Sequence, residues 1–309
     1  MIGRHLRCLF KSTRRTTYGD RRFKRKNSTT PSFRLRSKIS KSGRAGIRIG
    51  DNGIPRSVTL PGIGTIRVRE DTRHLRRMLA NQRTKILYTT VTFRAGRWQL
   101  SVTIEAADFH PAVRHRLRAA DDDTGWVGVD LGLSNFLFAA TADSTKVARI
   151  DNPPKPLAAG LRQQRWLAKS LSRKQKGSRN RKDAAARLAQ HHHHVANVRR
   201  HFLHQVTNTL AKTHDRLVLE DLNVAGMLGN HHLAQAIGDA GWADFARLVR
   251  YKQQWRSGTV VTADRWYASS KRSACTGMNT QLTLSDRVFT CECGFRADRD
   301  HNVAVNLAV

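Results

Sequence analysis

The chain is short of negative charge. Its 309 residues hold 23 Asp and Glu against 56 Lys and Arg, a formal net charge of +33. Such an imbalance points to a polyanionic partner. DNA or RNA comes before a membrane surface or a ribosome-like structural role, because neutralised phosphates release counterions. Cysteine is also scarce. Four residues, one of them the isolated Cys8, do not make a disulfide framework in a chain this long, so a reducing cytoplasm is the default compartment. No apolar run approaches the ~18 residues of a membrane span, and no secretory apolar segment is present. A membrane partner is therefore not expected. Aromatic residues make up 7%, too few for stacking to dominate nucleic-acid binding. Trp166, Trp242, Trp255 and Trp266 are expected in the core or in helix packing.

What is present divides along the chain. Residues 1–50 are basic, rich in Ser, Thr and Gly and poor in apolar periodicity. They read as a nucleic-acid-contacting arm, partly disordered, with Arg21, Arg22, Lys24, Arg25 and Lys26 as its densest cluster. The composition of residues 1–26 also fits an organellar transit peptide, but the Arg-rich character recurs along the chain instead of stopping at a boundary. Residues 51–115 change pattern. Segments 86–93 and 98–104 alternate with period two around the turn Arg94-Ala95-Gly96-Arg97, which predicts a small antiparallel, barrel-like β domain.

After a linker, residues 124–266 and 295–309 read as a mixed α/β domain. Strands are expected at 126–130, 135–141, 146–150, 216–220 and 258–263, the last two buried at the sheet centre. Helices are expected at 161–176, 181–212, 242–255 and 300–309. Leu188, Val195, Val198, Phe202, Val206 and Leu210 give the second of these its apolar stripe. The tract His191-His192-His193-His194 points around the whole helix and is expected to be a solvated, weakly basic surface. Arg162, Arg165, Arg173, Arg179, Arg181 and Arg199 are expected to face phosphates. Residues 267–294, bearing Ser, Thr and Cys, look like an inserted module.

Scarce carboxylates make the placed ones informative. Val127-Gly128-Val129-Asp130-Leu131-Gly132, Leu217-Val218-Leu219-Glu220-Asp221-Leu222 and Asp298-Arg299-Asp300-His301-Asn302 each set an acid at the border of an apolar element. Singly, each has a plain explanation: a turn former, a helix cap, a favourable acid at a helix N-terminus. Together, Asp130, Glu220 and Asp300 form a set of hard oxygen donors suited to Mg²⁺ or Mn²⁺. Two such ions about 3.5–4 Å apart clamp the attacking and leaving oxygens of a phosphodiester. Asp298 is the nearby alternative to Asp300.

These segments resemble the three catalytic motifs of a RuvC-like (RNase H-fold) nuclease. With Ala263-Asp264-Arg265-Trp266-Tyr267-Ala268-Ser269-Ser270-Lys271, residues 282–291 and Arg299-Asp300-His301-Asn302-Val303-Ala304-Val305-Asn306-Leu307, the chain from about residue 22 onward resembles the TnpB/OrfB family of insertion-sequence proteins. That resemblance implies a transposon-associated nuclease in the bacterial cytoplasm and nucleoid, guided by RNA to DNA, working beside a separate transposase of the same element. It implies that Asp130, Glu220 and Asp300 are the metal-binding acids, with Arg299 and Asn302 orienting carboxylate and phosphate.

Two departures from the family pattern stand out. The family's zinc ribbon has two Cys-x-x-Cys pairs. Here Cys275 stands alone and Cys291-Glu292-Cys293 is one residue short, so a degenerate ribbon is expected, with zinc held only if His301 or an acid completes the set. Only residues 1–42 precede the β domain, so an N-terminal truncation is expected too. The competing reading is a descendant that binds DNA or RNA without cutting. A structural RNA-binding protein explains the charge but not the acids.

Overall fold

Period-two alternation across residues 84–106 produces a long antiparallel hairpin. Its turn, Ala95 and Gly96, takes positive φ at both positions (52° and 72°), the backbone that matches the twist of the flanking strands. The computed structural model describes residues 31–39, 43–51, 53–119, 121–272, 277–279, 281–283, 286–292 and 294–309. Arg21, Arg22, Lys24, Arg25, Lys26, Cys275 and Cys293 lie outside them. The chain divides into two compact units at Ala107 and Asp108.

The first unit contains β1 (Ser32–Arg36), β2 (Arg48–Ile49), β3 (Ser57–Leu60), β4 (Gly64–Arg67), helix α1 (Arg73–Ala80), β5 (Thr84–Arg94) and β6 (Arg97–Ala106). Two antiparallel sheets, β1-β5-β6 and β2-β3-β4, share one core of Ile47, Val58, Leu60, Ile86 and Val91. The described pairings keep the two sheets separate rather than closing them into a barrel. Strand β1 corrects the reading of residues 1–50 as an arm. Ser32 pairs with Thr92 and Arg36 with Tyr88, while Phe33 and Leu35 pack against the core. The basic residues between them masked a true alternation.

The second unit runs through β7 (Trp126–Asp130), β8 (Leu137–Thr141), β9 (Lys146–Ile150), α2 (Pro156–Ser172), α3 (Arg179–Thr213), β10 (Arg216–Leu219), α4 (Val224–Met227), α5 (Ala234–Ala240), α6 (Trp242–Trp255), β11 (Thr259–Thr262), β12 (Val288–Thr290), β13 (Arg296–Asp298) and α7 (Arg299–Ala308). Five of these strands form one mixed sheet in the order β11-β10-β7-β8-β9. β10 runs parallel to both β7 and β11, and β8 runs antiparallel to β7 and β9. No helix among the described residues is long and apolar enough to cross a membrane.

Both faces of the sheet centre are covered, which explains its nearly continuous apolar strands. Val127, Val129, Leu217 and Leu219 face Leu203 and Leu210 of α3 and Phe245, Leu248 and Val249 of α6. Alternate residues face α7: Phe138 and Ala140 meet Ala304 and Val305, and Val218 meets Val303 and Leu307. Lys252 of α6 is buried as well. Its Nζ donates to the His204 carbonyl (2.7 Å) and to Thr207 Oγ1 (2.8 Å), tying α6 to α3, and burial pushes its pKa down to about 8. Strand β11 differs from the buried strand expected. It lies at the sheet edge with Thr259, Val261 and Thr262 exposed, because among the described residues only β10 pairs with it.

Helix α7 crosses β7 at Gly128. A Cβ there would overlap the Ala304 carbonyl oxygen and stand 2.7 Å from Leu307 Cβ. Backbone cannot yield as a flexible side chain does. Gly128→Ala is therefore expected to lower unfolding free energy by about 3 kcal/mol or more, at the upper end of overpacking costs. A denaturant midpoint within error of wild type would show that α7 does not lie on β7.

Candidate active site

Register places the first two acids. Leu219 of β10 pairs with Val129 of β7 in parallel, so Glu220 and Asp130, each one residue further, leave the same end of the sheet on adjacent strands, roughly 5 Å apart in backbone. The third arrives on α7. Asp298 caps that helix by accepting from the Asp300 (2.9 Å) and His301 (3.4 Å) amides, and it also lies 3.7 Å from Arg149. Asp298 is thus occupied as a cap, while Asp300 in the first turn turns toward the sheet end.

Each carboxylate has a protein partner. Glu220 accepts from Ser269 Oγ at 2.9 Å, and Asp300 accepts from Asn135 Nδ2 at 2.9 Å with Arg299 Nε at 3.9 Å. Burial, then the charges of Glu220 and Asp300, hold the Asp130 carboxyl well above the usual range, against the pull of Arg299. Burial also raises Glu220, against its Ser269 hydrogen bond. The three acids therefore share one electrostatic neighbourhood. As the side chains stand, no group of three or more His, Cys, Asp or Glu among the described residues is gathered tightly enough to hold a metal ion. The donor chemistry nonetheless fits a hard divalent cation: all donors are carboxylate oxygens, and their mutual repulsion is what such a charge relieves. Ser269 engages only Oε1 of Glu220 and Asn135 only Oδ2 of Asp300, so neither bond takes up both oxygens of its carboxylate.

Asn302 lies elsewhere than its expected place beside carboxylate and phosphate. It is buried, and its Nδ2 donates to the Arg272 carbonyl. Asn306 donates to the carbonyls of Ser269 (2.8 Å) and Arg272 (2.6 Å), and the Tyr267 hydroxyl donates to the Asn306 carbonyl (2.9 Å). These bonds pin the segment that carries Ser269 to Glu220. Asn302 thus acts on the site through the backbone. Ser269 and Asn135, which do touch the acids, were missed; no local pattern marks them, since their partners lie 49 and 165 residues away. Cys291 accepts from the Gly294 amide (2.9 Å) in the turn between β12 and β13. The His301 ring stands 3.0 Å from the Ser144 carbonyl, so it is engaged at β8–β9.

The expected phosphate-facing arginines separate into two groups. Arg162, Arg165, Arg173 and Arg179 are exposed. Arg181 and Arg199 are half-buried and already committed: Arg181 donates to the Leu171 (3.0 Å) and Lys174 (3.1 Å) carbonyls, and Arg199 to the Gly238 carbonyl. The histidine tract is not wholly solvated either. His191 is buried, its ring filling the space that a Cβ on Gly160 would otherwise enter at 2.9 Å. Trp242 is buried as expected, but Trp166, Trp255 and Trp266 are exposed at 64%, 57% and 87%.

Two outcomes follow. A group whose folded pKa is raised binds more protons folded than unfolded, so Asp130 costs stability as pH rises from about 4 through its folded value. Without divalent cations, wild type is expected to lose stability over that window, and Asp130→Asn to gain about 1–3 kcal/mol at neutral pH, the cost of an unrelieved buried polar group. Equal pH profiles for the two proteins would mean that Asp130 is not crowded by like charge. For the arginines, Arg162→Gln with Arg165→Gln should lower the slope of log affinity for duplex DNA against log salt by about 0.9 for each phosphate no longer neutralised. Arg199→Gln should leave that slope unchanged and lower the melting temperature instead.

Residues 107–231 match the OrfB_IS605 family profile, described as "Probable transposase", and residues 242–307 match the Cas12f1-like TNB domain. A Mycobacterium tuberculosis protein named "Putative RNA-guided DNA endonuclease" is 38% identical over 261 residues, which is 82% of this chain and 55% of its own length. Escherichia coli InsQ, named in the same words, is 27% identical over 269 residues, 81% of this chain and 61% of its own length. The chain thus spans about half to three-fifths of the length of these relatives. In fold it is similar to the protein of a Cas12f1–sgRNA–target DNA complex, with a TM-score of 0.54 at 13% identity over 90% of this chain and 59% of that one. The first profile takes in β7, β10 and the acids that follow their apolar runs, the second takes in α7, and the relatives span most of the sequence: the chain belongs to the OrfB (TnpB-like) family of insertion-sequence proteins.

Proposed function

We propose that this protein is a transposon-associated endonuclease that cleaves DNA phosphodiester bonds with Mg²⁺ or Mn²⁺ held by Asp130, Glu220 and Asp300, on DNA selected by a guide RNA. The observation that supports it most is the parallel register of β10 with β7, which sets two acids side by side and leaves Asp130 under the charge of the other two. When bound, the ions supply Lewis-acid charge to the attacking and leaving oxygens. The chain's own residues do the rest. Ser269 and Asn135 fix the resting directions of Glu220 and Asp300. Arg299, half-buried beside Asp300, offers a guanidinium to the scissile phosphate. The exposed arginines of α2 and α3 take the strand's backbone. RNA guidance rests on the names of the relatives and on the sgRNA in the complex that the fold resembles.

A second reading, binding without cutting, is favoured by one observation: as the side chains stand, no group of three or more His, Cys, Asp or Glu among the described residues is placed to hold a metal ion. A cleavage assay with the native flanking RNA and target DNA separates the two. Asp130→Ala, Glu220→Ala and Asp300→Ala should each abolish Mg²⁺- or Mn²⁺-dependent cleavage, without additive losses in combination, because the acids act as one unit. DNA binding should stay within about 2-fold, since it comes from cations elsewhere. Wild type as inert as Asp130→Ala, with equal binding, would establish the non-cutting reading.

A further inference from the structure

A cavity of about 280 Å³ opens between α2 and α3 near the end where the two helices join. Buried Leu167 and Ala184 line its inner side. Trp166 lines it as well, yet is 64% exposed. Most of its indole is left in water, although aromatic side chains contribute most when covered. Spacing sets its neighbours. Trp166 and Ser170 stand four residues apart on α2 and share one face of it, Asp183 and Arg187 do the same on α3, and Lys174 lines the cavity from the connection just past the end of α2. The rim therefore joins an open aromatic plane to two cations, within a surface that also exposes Arg162, Arg165, Arg173 and Arg179.

We infer that this cavity binds one unpaired nucleotide of a single strand, its base stacked on Trp166 and its phosphate held by Lys174 and Arg187. An indole plane beside cations is the combination that holds single strands, since every base has a face to stack while the backbone needs neutralising. Asp183 is placed to accept from an exocyclic amine, the donor by which carboxylates recognise bases. A paired base is stacked between its neighbours and cannot offer its face to the indole. This inference rests on the proposed function only in taking nucleic acid as the partner; a protein that binds without cutting has the same cavity.

The test is equilibrium binding of the full chain to short fluorescent RNA and DNA single strands and to a duplex of equal length. Trp166→Ala should weaken single-strand binding about 10-fold, within the range for removing one stacked base, with duplex affinity within about 2-fold of wild type. Trp166→Phe should restore most of the loss. The salt slope of Trp166→Ala should equal that of wild type, whereas Lys174→Gln with Arg187→Gln should lower the single-strand slope by about 0.7 for each phosphate no longer neutralised. Whichever strand, RNA or DNA, shows the Trp166 effect is the occupant. Unchanged affinity of Trp166→Ala for both strands, or an equal loss on duplex, would overturn the inference, as would absence of binding by wild type. Trp166-dependent binding without cleavage would uphold it and sink only the nuclease reading. Coincident melting curves for Trp166→Ala and wild type show that its weaker binding is not a failure of folding.

Discussion

Helix α7 lies on strand β7 at a position where the strand carries no side chain, Gly128, and the candidate site depends on that approach. At Gly128 the helix backbone occupies the space that any Cβ would need. The approach seats Val303, Val305 and Leu307 against the sheet, which fixes the height of the helix and so the position of its first turn. Asp300 is in that turn. The same helix carries Asn302 and Asn306, whose amides hold the segment leading to Ser269. A single close approach thus governs the direct placement of one acid and, through a loop, the hydrogen bond of another. Interiors packed to crystal-like density transmit such a constraint because they have little room to absorb it.

The second determinant is electrostatic. Three carboxylates gathered in a chain of net charge +33 could have been neutralised by arginine. The structure mostly declines that solution. Arg149 pairs with Asp151 and reaches Asp298, Arg265 takes Asp221 at 2.6 Å, and Arg299 stands 3.9 Å from Asp300. Asp130 is left in a repulsive field. Repulsion of this kind lowers the stability of the folded protein, and proteins keep such costs where a site has a use for them. A fully salt-bridged cluster would be more stable and would have nothing to offer a cation.

The sheet and its acids were legible because two independent signals coincided. Strands such as 126–130 and 216–219 are apolar at nearly every position, which only a sheet covered on both faces requires, and each ends in an acid that the chain otherwise rarely uses. The family resemblance then joined acids 90 and 80 residues apart. What sequence could not show was competition among partners. Arg181 and Arg199 look like their neighbours in composition, yet backbone carbonyls claimed them. Trp166 and Trp255 look like core residues by type, but hydrophobicity does not say on which side of a helix the core lies when both sides carry charge, and Trp266 stands in a turn beyond β11. Strand β1 was hidden for the opposite reason: arginines at its outward positions gave a stretch with a regular alternation the composition of an arm.

The three acids and the exposed arginines of the helical hairpin stand on different elements of the fold. Helix α3 has 35 residues, about 50 Å at 1.5 Å per residue. Its later half, with Leu203 and Leu210, packs on the sheet, while its earlier half, from Ala184 to Val195, pairs with α2. Roughly 30 Å of helix separates Leu203 from Ala184, several times the ~8 Å screening length at physiological salt. Among the described residues, none of Arg162, Arg165, Arg173 and Arg179 forms an ion pair with Asp130, Glu220 or Asp300. The acids at the sheet end keep the unrelieved charge that would make a divalent ion welcome there, and a long stiff helix lets one chain hold both charges without their pairing with each other.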